Sequence, residues 1–433
     1  MTALKVRLLP YEDCTYKRFS GIRTLGRGLL LDSGTSYVDK TDVLSAAPAD
    51  WVSVTEIDEL PAALNHIRSS LAAYSPDSCI DSIAPGWFGA WSYNLGEHLE
   101  AITPKHTSLP LLWMGFYPAL IVSNRHLKAT QLIFLEGYEE QAEALAAGYL
   151  ANGVEDLSFQ LTSPFNGNLP TDQYRSRFNR VKDYINQGDC YQINLSREFK
   201  ASYEGSPWEA YQRLRSSHSA PMGGFLEVDD WALLSLSPER FIRSVNGLVE
   251  TKPIKGTRPR IDDPRLDLMN REDLMSSSKD RAENLMIVDL LRNDLGRSCK
   301  PGTVKVDKLF DIESFSNVHH LVSTVTGALK ISVDVLDLLQ GAFPGGSITG
   351  APKRRAMQII EEVEPHSREF YCGSMLYIDV CGRMDSNILI RSLVANRGEI
   401  KCWGGGGIVA DSTYEAEYQE IQDKIGKLLS ALQ

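Results

Sequence analysis

Strand-like runs recur along almost the whole chain, and this recurrence is the strongest constraint on its fold. Apolar and β-branched stretches at 6–9, 28–31, 87–93, 119–122 and 131–135 are followed by others at 190–199, 231–235, 240–245, 248–251, 322–327, 375–379, 388–394 and 400–403. Many are joined by short turns, which favour antiparallel pairing over crossover connections. Helical periodicity appears at 57–73, 138–150, 171–187, 276–297, 352–363 and in the C-terminal segment. The pattern predicts an α+β protein. Its 433 residues exceed what one simple core usually serves, so two domains or one large interlocked body is expected. Residues 152–172 lack periodicity and are rich in Gly, Ser, Asn and Pro, a linker dividing the sequence into 1–152 and 172–433.

Composition removes several function classes. Hydrophobic residues make up 43% of the chain and include seven Trp, ample core for a folded protein. Its 45 Lys+Arg against 56 Asp+Glu give a net charge of −11, without the basic footprint that nucleic acid or an anionic membrane demands. An anionic substrate therefore needs positive charge gathered locally. Lys5, Arg7 and Pro10 interrupt any signal-peptide core, and the longest apolar stretch, 109–123, is short for a bilayer and carries Pro110 and Pro118. The seven cysteines form no CxxC and no ligand spacing, so reduced thiols in a cytoplasmic protein are expected. None sits in a Gly-x-Cys-x-Gly nucleophile turn.

Several segments carry residues suited to chemistry. In SSSKDRAENLMIVDLLRNDLGR (276–297) the stretch 285–291 is apolar on nearly every face, predicting a buried helix, and Glu283 projects on the side of Ile287 and Leu290. A carboxylate placed there needs a salt bridge, to Arg281 or Arg292, or a metal. FPGGSITGAPKRR (343–355) is a Gly-rich loop entering a helix, offering backbone N–H groups to an anion, yet it is not a P-loop because Lys353 follows Pro352. Glycines 404–407 at a strand end let backbone approach a ligand or form a β-bulge. Lys255 lies in KPIKGT (252–257), on a turn rigidified by Pro253 and Gly256 among Lys252, Arg258 and Arg260; it reads as a solvated basic turn or as an amine of lowered pKa. His319 and His320 have no matching acid nearby and read as core histidines. At the C-terminus Ser412 and Glu415 form a capping box. Tyr414, Tyr418, Ile421, Ile425, Leu428 and Leu432 make the apolar stripe, with Glu417, Glu420 and Lys424 beside it.

Taken in order, DCYQINLSREF (189–199), LSLSPERF (234–241), PIKGTRPR (253–260), KDRAENLMIVDLLRNDLGR (279–297), VHHLVS (318–323), FPGGSITGAPKRRAM (343–357), IRS (390–392) and GGGGIVADS (404–412) resemble the chorismate-utilising enzymes. This family includes the anthranilate, isochorismate and salicylate synthases and the enzymes that aminate chorismate at C4. The resemblance covers roughly 170–433, and more weakly LLLDSG (29–34) and GWFGAWSYNLG (86–96). It implies a large antiparallel β-sandwich flanked by helices, as in anthranilate synthase component I. Family members that add water to chorismate carry Lys where this chain has Gln192, which speaks against isochorismate or salicylate formation. Anthranilate synthases typically read Pro-Ile-Ala-Gly-Thr where this chain reads Pro-Ile-Lys-Gly-Thr, and the lysine wording resembles the C4-aminating branch.

The resemblance implies a role for each matching residue. Mg²⁺ is held by Glu283 and Glu420, with Asp280 and Glu417 as outer ligands through water. Glu239 is the general acid/base, and Lys255 attacks C2 of chorismate as a covalent nucleophile before ammonia enters at C4. Arg391 and Tyr371 grip the enolpyruvyl carboxylate. The Gly407 N–H and Lys424 contact the ring carboxylate, Ser347 stands where many relatives have Thr, and His320 lies beside the ring. The product is then 4-amino-4-deoxychorismate, a precursor of p-aminobenzoate and folate. A separate glutamine amidotransferase subunit is implied, forming a heterodimer, with free ammonium able to substitute. Ser33, in LLLDSG, falls where relatives line a tryptophan pocket, although their wording is Leu-Leu-Glu-Ser. Two other readings stand beside this one: an anthranilate synthase component I, and a non-catalytic subunit that binds chorismate or tryptophan.

Overall fold

The computed structural model describes residues 3–34, 40–74, 76, 78–151, 157–218, 220–315 and 318–433. Two antiparallel sheets organise them, one of thirteen strands and one of ten. In the larger sheet the strands from the first part of the chain, ending at Leu29–Asp32, continue directly into Met222–Val228, Trp231–Ser237, Ser392–Asn396, Glu399–Ile408 and Gln192–Glu204. Leu30 pairs with Phe225 across that junction. In the smaller sheet Gly86–Trp91 lies against Ser374–Asp379, with Gly89 opposite Leu376. Strands from both sides of 152–172 thus share each sheet; residues 152–156, and with them the boundary at 152, lie outside the described residues.

Alternate side chains of the larger sheet enter two different cores. Leu29, Val43, Leu120, Leu226, Leu233, Val394 and Trp403 face the smaller sheet and pack with Trp87, Phe88, Trp113, Phe116 and Met375. Their neighbours Leu30, Leu44, Ile121, Phe225, Leu234, Leu393 and Cys402 face outward, under Phe19, Trp208, Tyr174, Phe178, Ile421 and Ile425 of the flanking helices. The period-2 alternation of a strand places these adjacent residues on opposite faces. A sheet covered on both sides reads as continuous apolar runs, which explains why 119–122 and 231–235 look uniformly hydrophobic. The architecture is the expected α+β sandwich flanked by helices.

Several local expectations change. The predicted helix 276–297 begins at Ser278 and runs to Ser298, with Ser277 as N-cap accepting from the Asp280 N–H; a separate helix, Pro264–Ser276, precedes it. It is not apolar all round, since Leu285 is 45% exposed while Asn284, Ile287, Val288 and Leu291 are buried. The C-terminal helix, Tyr414–Ala431, has Thr413 at its N-cap and no capping box; the Ser412 hydroxyl instead donates to Glu417 Oε1 at 2.6 Å. Lys255 lies on a strand, Ile254–Pro259, not a free turn. That strand pairs with Val318–Ala328, and its register shifts between Ile254 and Thr257, where Gly256 takes φ +80°. Residues 388–391 do not ladder: the Ile388 N–H donates to the Glu239 carbonyl, the Leu389 N–H to the Gly373 carbonyl, and Arg391 adopts φ +51°.

The thiol expectation is corrected too. Cys79 and Cys381 form a disulfide with Cα atoms 5.8 Å apart, joining the loop after helix Leu60–Ala73 to the turn between Ser374–Asp379 and Met384–Asn387. A separation of 302 residues leaves no spacing signal in the sequence. Cys14, Cys190, Cys299, Cys372 and Cys402 are free. Among the described residues no helix is long and apolar enough to cross a membrane.

Candidate active site

A cavity of about 520 Å³ opens at one end of the sandwich, lined by residues from Asn194 to Ile425. Strand Ile254–Pro259 supplies Lys255, strand Val318–Ala328 supplies His320, and helix Ser278–Ser298 supplies Asp280 and Glu283. The turn after Trp231–Ser237 brings Glu239, and the Gly-rich loop brings Ser347. Tyr371 and Arg391 come from irregular segments, Gly407 from strand Glu399–Ile408, and Glu417, Glu420 and Lys424 from helix Tyr414–Ala431. These are the residues the sequence nominated for chemistry and substrate contact, and they meet in one place.

Glu239 is 6% exposed, and its Oε1 accepts a hydrogen bond from Ser347 Oγ at 3.0 Å. Burial raises its pKa, opposed by the positive charge of Lys255 and by that hydrogen bond. Such a carboxyl group is suited to carry a proton at a pH where a surface glutamate is ionised. Lys255 is partly open to the cavity, yet enough protein surrounds it that burial lowers its pKa, against the pull of Glu283 and Glu239 and with help from Lys424. Of the cations nearby it is Lys424 that contributes, not the basic neighbours named from sequence, each of which is paired with a carboxylate. Lys252 pairs with Glu313, Arg258 with Asp273 and Asp280, and Arg260 with Asp267.

Acids form another wall of the same cavity. Burial raises the pKa of Glu283, with Lys255 and Lys279 opposing; its carboxylate stands 3.9 Å from Lys279 and pairs with neither Arg281 nor Arg292, the latter bonding Asp289. Burial also acts on Glu420, but Lys424, 2.6 Å away, and Lys255 bring its pKa below the ordinary carboxylate value. Lys424 Nζ additionally donates to the Gly405 carbonyl at 3.0 Å. Glu417 is 4% exposed with its pKa raised by burial, and its Oε2 has no hydrogen-bond partner among the described residues. A Cβ on Gly406 would stand 2.8 Å from that oxygen and 3.8 Å from Glu420 Oε1, so the glycine keeps space open beside both acids. Carboxylate oxygens are the donors a hard divalent cation prefers, and Glu283, Glu417 and Glu420 line one cavity, although among the described residues no three such groups stand together as a formed metal site.

The remaining walls suit an anionic ring. Arg391 is largely enclosed, and burial lowers its pKa. Tyr371 stacks on Trp403 with ring centroids 6.0 Å apart and planes at 9°. Burial, with Arg391 nearby, drops the His320 pKa to about 4, so the imidazole is neutral near pH 7; its Nδ1 lies 2.9 Å from Thr257 Oγ1. Gln192 sits behind Gly407, fully buried, with neither amide atom hydrogen-bonded among the described residues. Asn194, Ile348 and Trp403 also line the cavity and were not singled out; Asn194 and Ile348 lie inside segments that carried the resemblance, and Trp403 immediately precedes one.

Ser33 lies elsewhere. It lines a second cavity of about 580 Å³ between the sheets, with Asp32, Arg240, Met375 and Asn387. Its hydroxyl donates to Asp42 Oδ1 at 2.7 Å and accepts from Arg125 at 2.6 Å.

Comparison with known proteins identifies the family. The family model for chorismate binding enzymes matches residues 30–430. The chain is 42% identical to aminodeoxychorismate synthase component 1 of Salmonella typhimurium, across 98% of this chain and 97% of that protein. It is also 42% identical to anthranilate synthase component 1 of Aquifex aeolicus, across 86% of this chain and 79% of that one. Among solved structures, anthranilate synthase component I from Streptococcus pneumoniae TIGR4 superposes with a TM-score of 0.78 at 26% identity, covering 91% of this chain and 93% of its own. A match running from the second strand of the larger sheet to the last helix, cavity included, means that this chain belongs to the chorismate binding enzymes.

Proposed function

We propose that the chain converts chorismate and ammonia to 4-amino-4-deoxychorismate, the activity named in its Salmonella relative, on the way to p-aminobenzoate and folate. The observation that carries this reading is Lys255, an amine of lowered pKa sharing a cavity with the buried acid Glu239. Glu239 protonates the departing C4 oxygen while Lys255 bonds to C2 and the ring double bonds shift. Water leaves with that proton. Ammonia then bonds to C4, the double bonds return, the C2–N bond to the lysine breaks to free the neutral amine, and the proton shed by the new C4 nitrogen returns to Glu239. Two displacements with a covalent intermediate replace one difficult expulsion of hydroxide.

Arg391 and Tyr371 orient the enolpyruvyl carboxylate, and the Gly407 N–H and Lys424 the ring carboxylate, with Ser347 holding Glu239 and neutral His320 against the ring. Glu283 and Glu420, with Asp280 and Glu417 outside them, would hold Mg²⁺, whose charge offsets that of the ring carboxylate. Lys424, Arg391 and the cation answer how a protein of net charge −11 takes a dianion. Every side chain used comes from the 172–433 part, which we read as the catalytic portion beside an N-terminal portion, 1–152. Ammonia is supplied by a glutamine amidotransferase subunit in a heterodimer in the cytoplasm, and the cavity at Ser33 is read as an amino-acid pocket of tryptophan type.

The 42% identity to the Aquifex protein supports a second reading, anthranilate formation. Incubation of the purified chain with chorismate, Mg²⁺ and ammonium separates the two. The proposal predicts consumption of chorismate without fluorescent anthranilate; anthranilate as the product overturns it.

A further inference from the structure

Arg368 does not itself line the cavity, yet it is bonded to residues that do. It is 2% exposed, and its guanidinium makes a fork with Glu364, Nε to Oε2 at 2.9 Å and Nη2 to Oε1 at 2.8 Å. Nη1 donates to the Ile348 carbonyl at 3.0 Å, and Nη2 to the Asn194 carbonyl at 2.6 Å. Its own carbonyl accepts the Tyr371 N–H at 2.8 Å, and its charge lies 5.9 Å from the Tyr371 ring centroid and 4.7 Å from that of Tyr93. Glu364 Oε1 also accepts the Ser196 N–H at 2.6 Å. Asn194, Ile348 and Tyr371 all line the cavity, and Ile348 follows Ser347, the hydroxyl that bonds Glu239.

These contacts are unusual in what they join. The strand Gln192–Glu204 and the loop around Gly346–Ile348 are far apart in sequence, and one planar cation donates to a carbonyl of each, while the Tyr371 N–H is held by the main-chain carbonyl of Arg368. A guanidinium is rigid and presents its donors in fixed directions, so it sets the relative positions of its acceptors as a flexible ammonium does not. Small displacements of groups that hold a reacting molecule are costly to turnover.

We infer that Arg368, oriented by Glu364, is a positioning residue for this site: by holding the loop at Ile348 against the strand at Asn194 it places Ser347, and through it Glu239, relative to the substrate. It exchanges no proton and touches no reacting atom. The inference rests on the reading of the cavity as the site of chorismate chemistry.

A double-mutant cycle of Arg368→Lys with Ser347→Ala, read on chorismate turnover, tests it. Lysine keeps the charge and loses the fork. The expected result is a drop in kcat/KM of roughly tenfold or more for Arg368→Lys alone, and of less than about threefold when Ser347 is already alanine, because the group being placed is then absent. An equal loss in both backgrounds, or an unchanged kcat/KM in the single variant, assigns Arg368 to stability alone and overturns the inference. If Arg368→Lys does not fold, Glu364→Gln, which keeps the shape and removes the charge, takes its place with the same two outcomes. The cycle is scored on loss of chorismate, so a wild-type product other than 4-amino-4-deoxychorismate contradicts the proposed function while the cycle still decides the role of Arg368.

Discussion

A lysine can be a nucleophile near neutral pH only if its charged form is disfavoured, and at Lys255 burial does this while the flanking acids Glu239 and Glu283 limit how far it goes. The account therefore predicts an adduct at Lys255 when the chain is held with chorismate and Mg²⁺ without ammonium, seen as a mass increase of the intact protein and absent from Lys255→Ala. An adduct persisting on that variant contradicts the assigned nucleophile. A second residue-scale prediction concerns His366, 8% exposed, whose pKa is lowered to about 4 by burial although Glu364 pulls it upward. Below the ordinary value of 6.5 the unfolded chain binds a proton that the folded chain refuses, so stability present above that pH is lost as the pH falls toward 4. The loss attributable to this group is at most roughly 3 kcal/mol. Denaturant unfolding of His366→Gln beside the parent should show a difference that shrinks between pH 6.5 and 4; a difference independent of pH contradicts the assignment.

At the scale of elements, the site depends on glycines that keep side chains out and on irregular backbone that turns side chains in. The Gly406→Ala methyl would stand 2.8 Å from Glu417 Oε2, so that carboxylate must move. Overpacking of this kind costs about 1–3 kcal/mol. The expected readout is a rise of roughly tenfold in the Mg²⁺ concentration needed for half-maximal activity, with a fall of about a few degrees in melting temperature; an unaltered Mg²⁺ dependence contradicts the role given to the acidic wall. The elements also show which parts of the site were legible in sequence. Glu417, Glu420 and Lys424 follow from helical period alone, since a single stripe of aromatic and aliphatic residues fixes their side of the helix. Lys255 was legible as a residue and not as a geometry, because its strand is defined by pairing with Val318–Ala328 and by the bulge at Gly256. Arg368 went unremarked because its acceptors, other than Glu364, are backbone carbonyls, which no side-chain pattern announces.

For the whole molecule, the two parts of the sequence are woven into common sheets. Leu29–Asp32 ladders onto Met222–Val228, and Gly86–Trp91 onto Ser374–Asp379, so removing the first part exposes two strand edges and half of the core between the sheets. The fragment 172–433 is accordingly expected to aggregate or stay unfolded by circular dichroism, although it holds every side chain assigned to chemistry; a soluble, active fragment contradicts this. Strand order was beyond the sequence for the same reason. An antiparallel neighbour found in a distant segment is chosen by complementary faces, not by local propensity, whereas hairpins such as Met222–Val228 with Trp231–Ser237 are announced by their turns. The most direct test of the central claim uses ¹⁵N-ammonium, chorismate and Mg²⁺ with the purified chain, and locates the label in the product by NMR. The account predicts nitrogen bonded to C4 of the ring. Nitrogen bonded to C2 would show that the chain makes the anthranilate skeleton and contradict it.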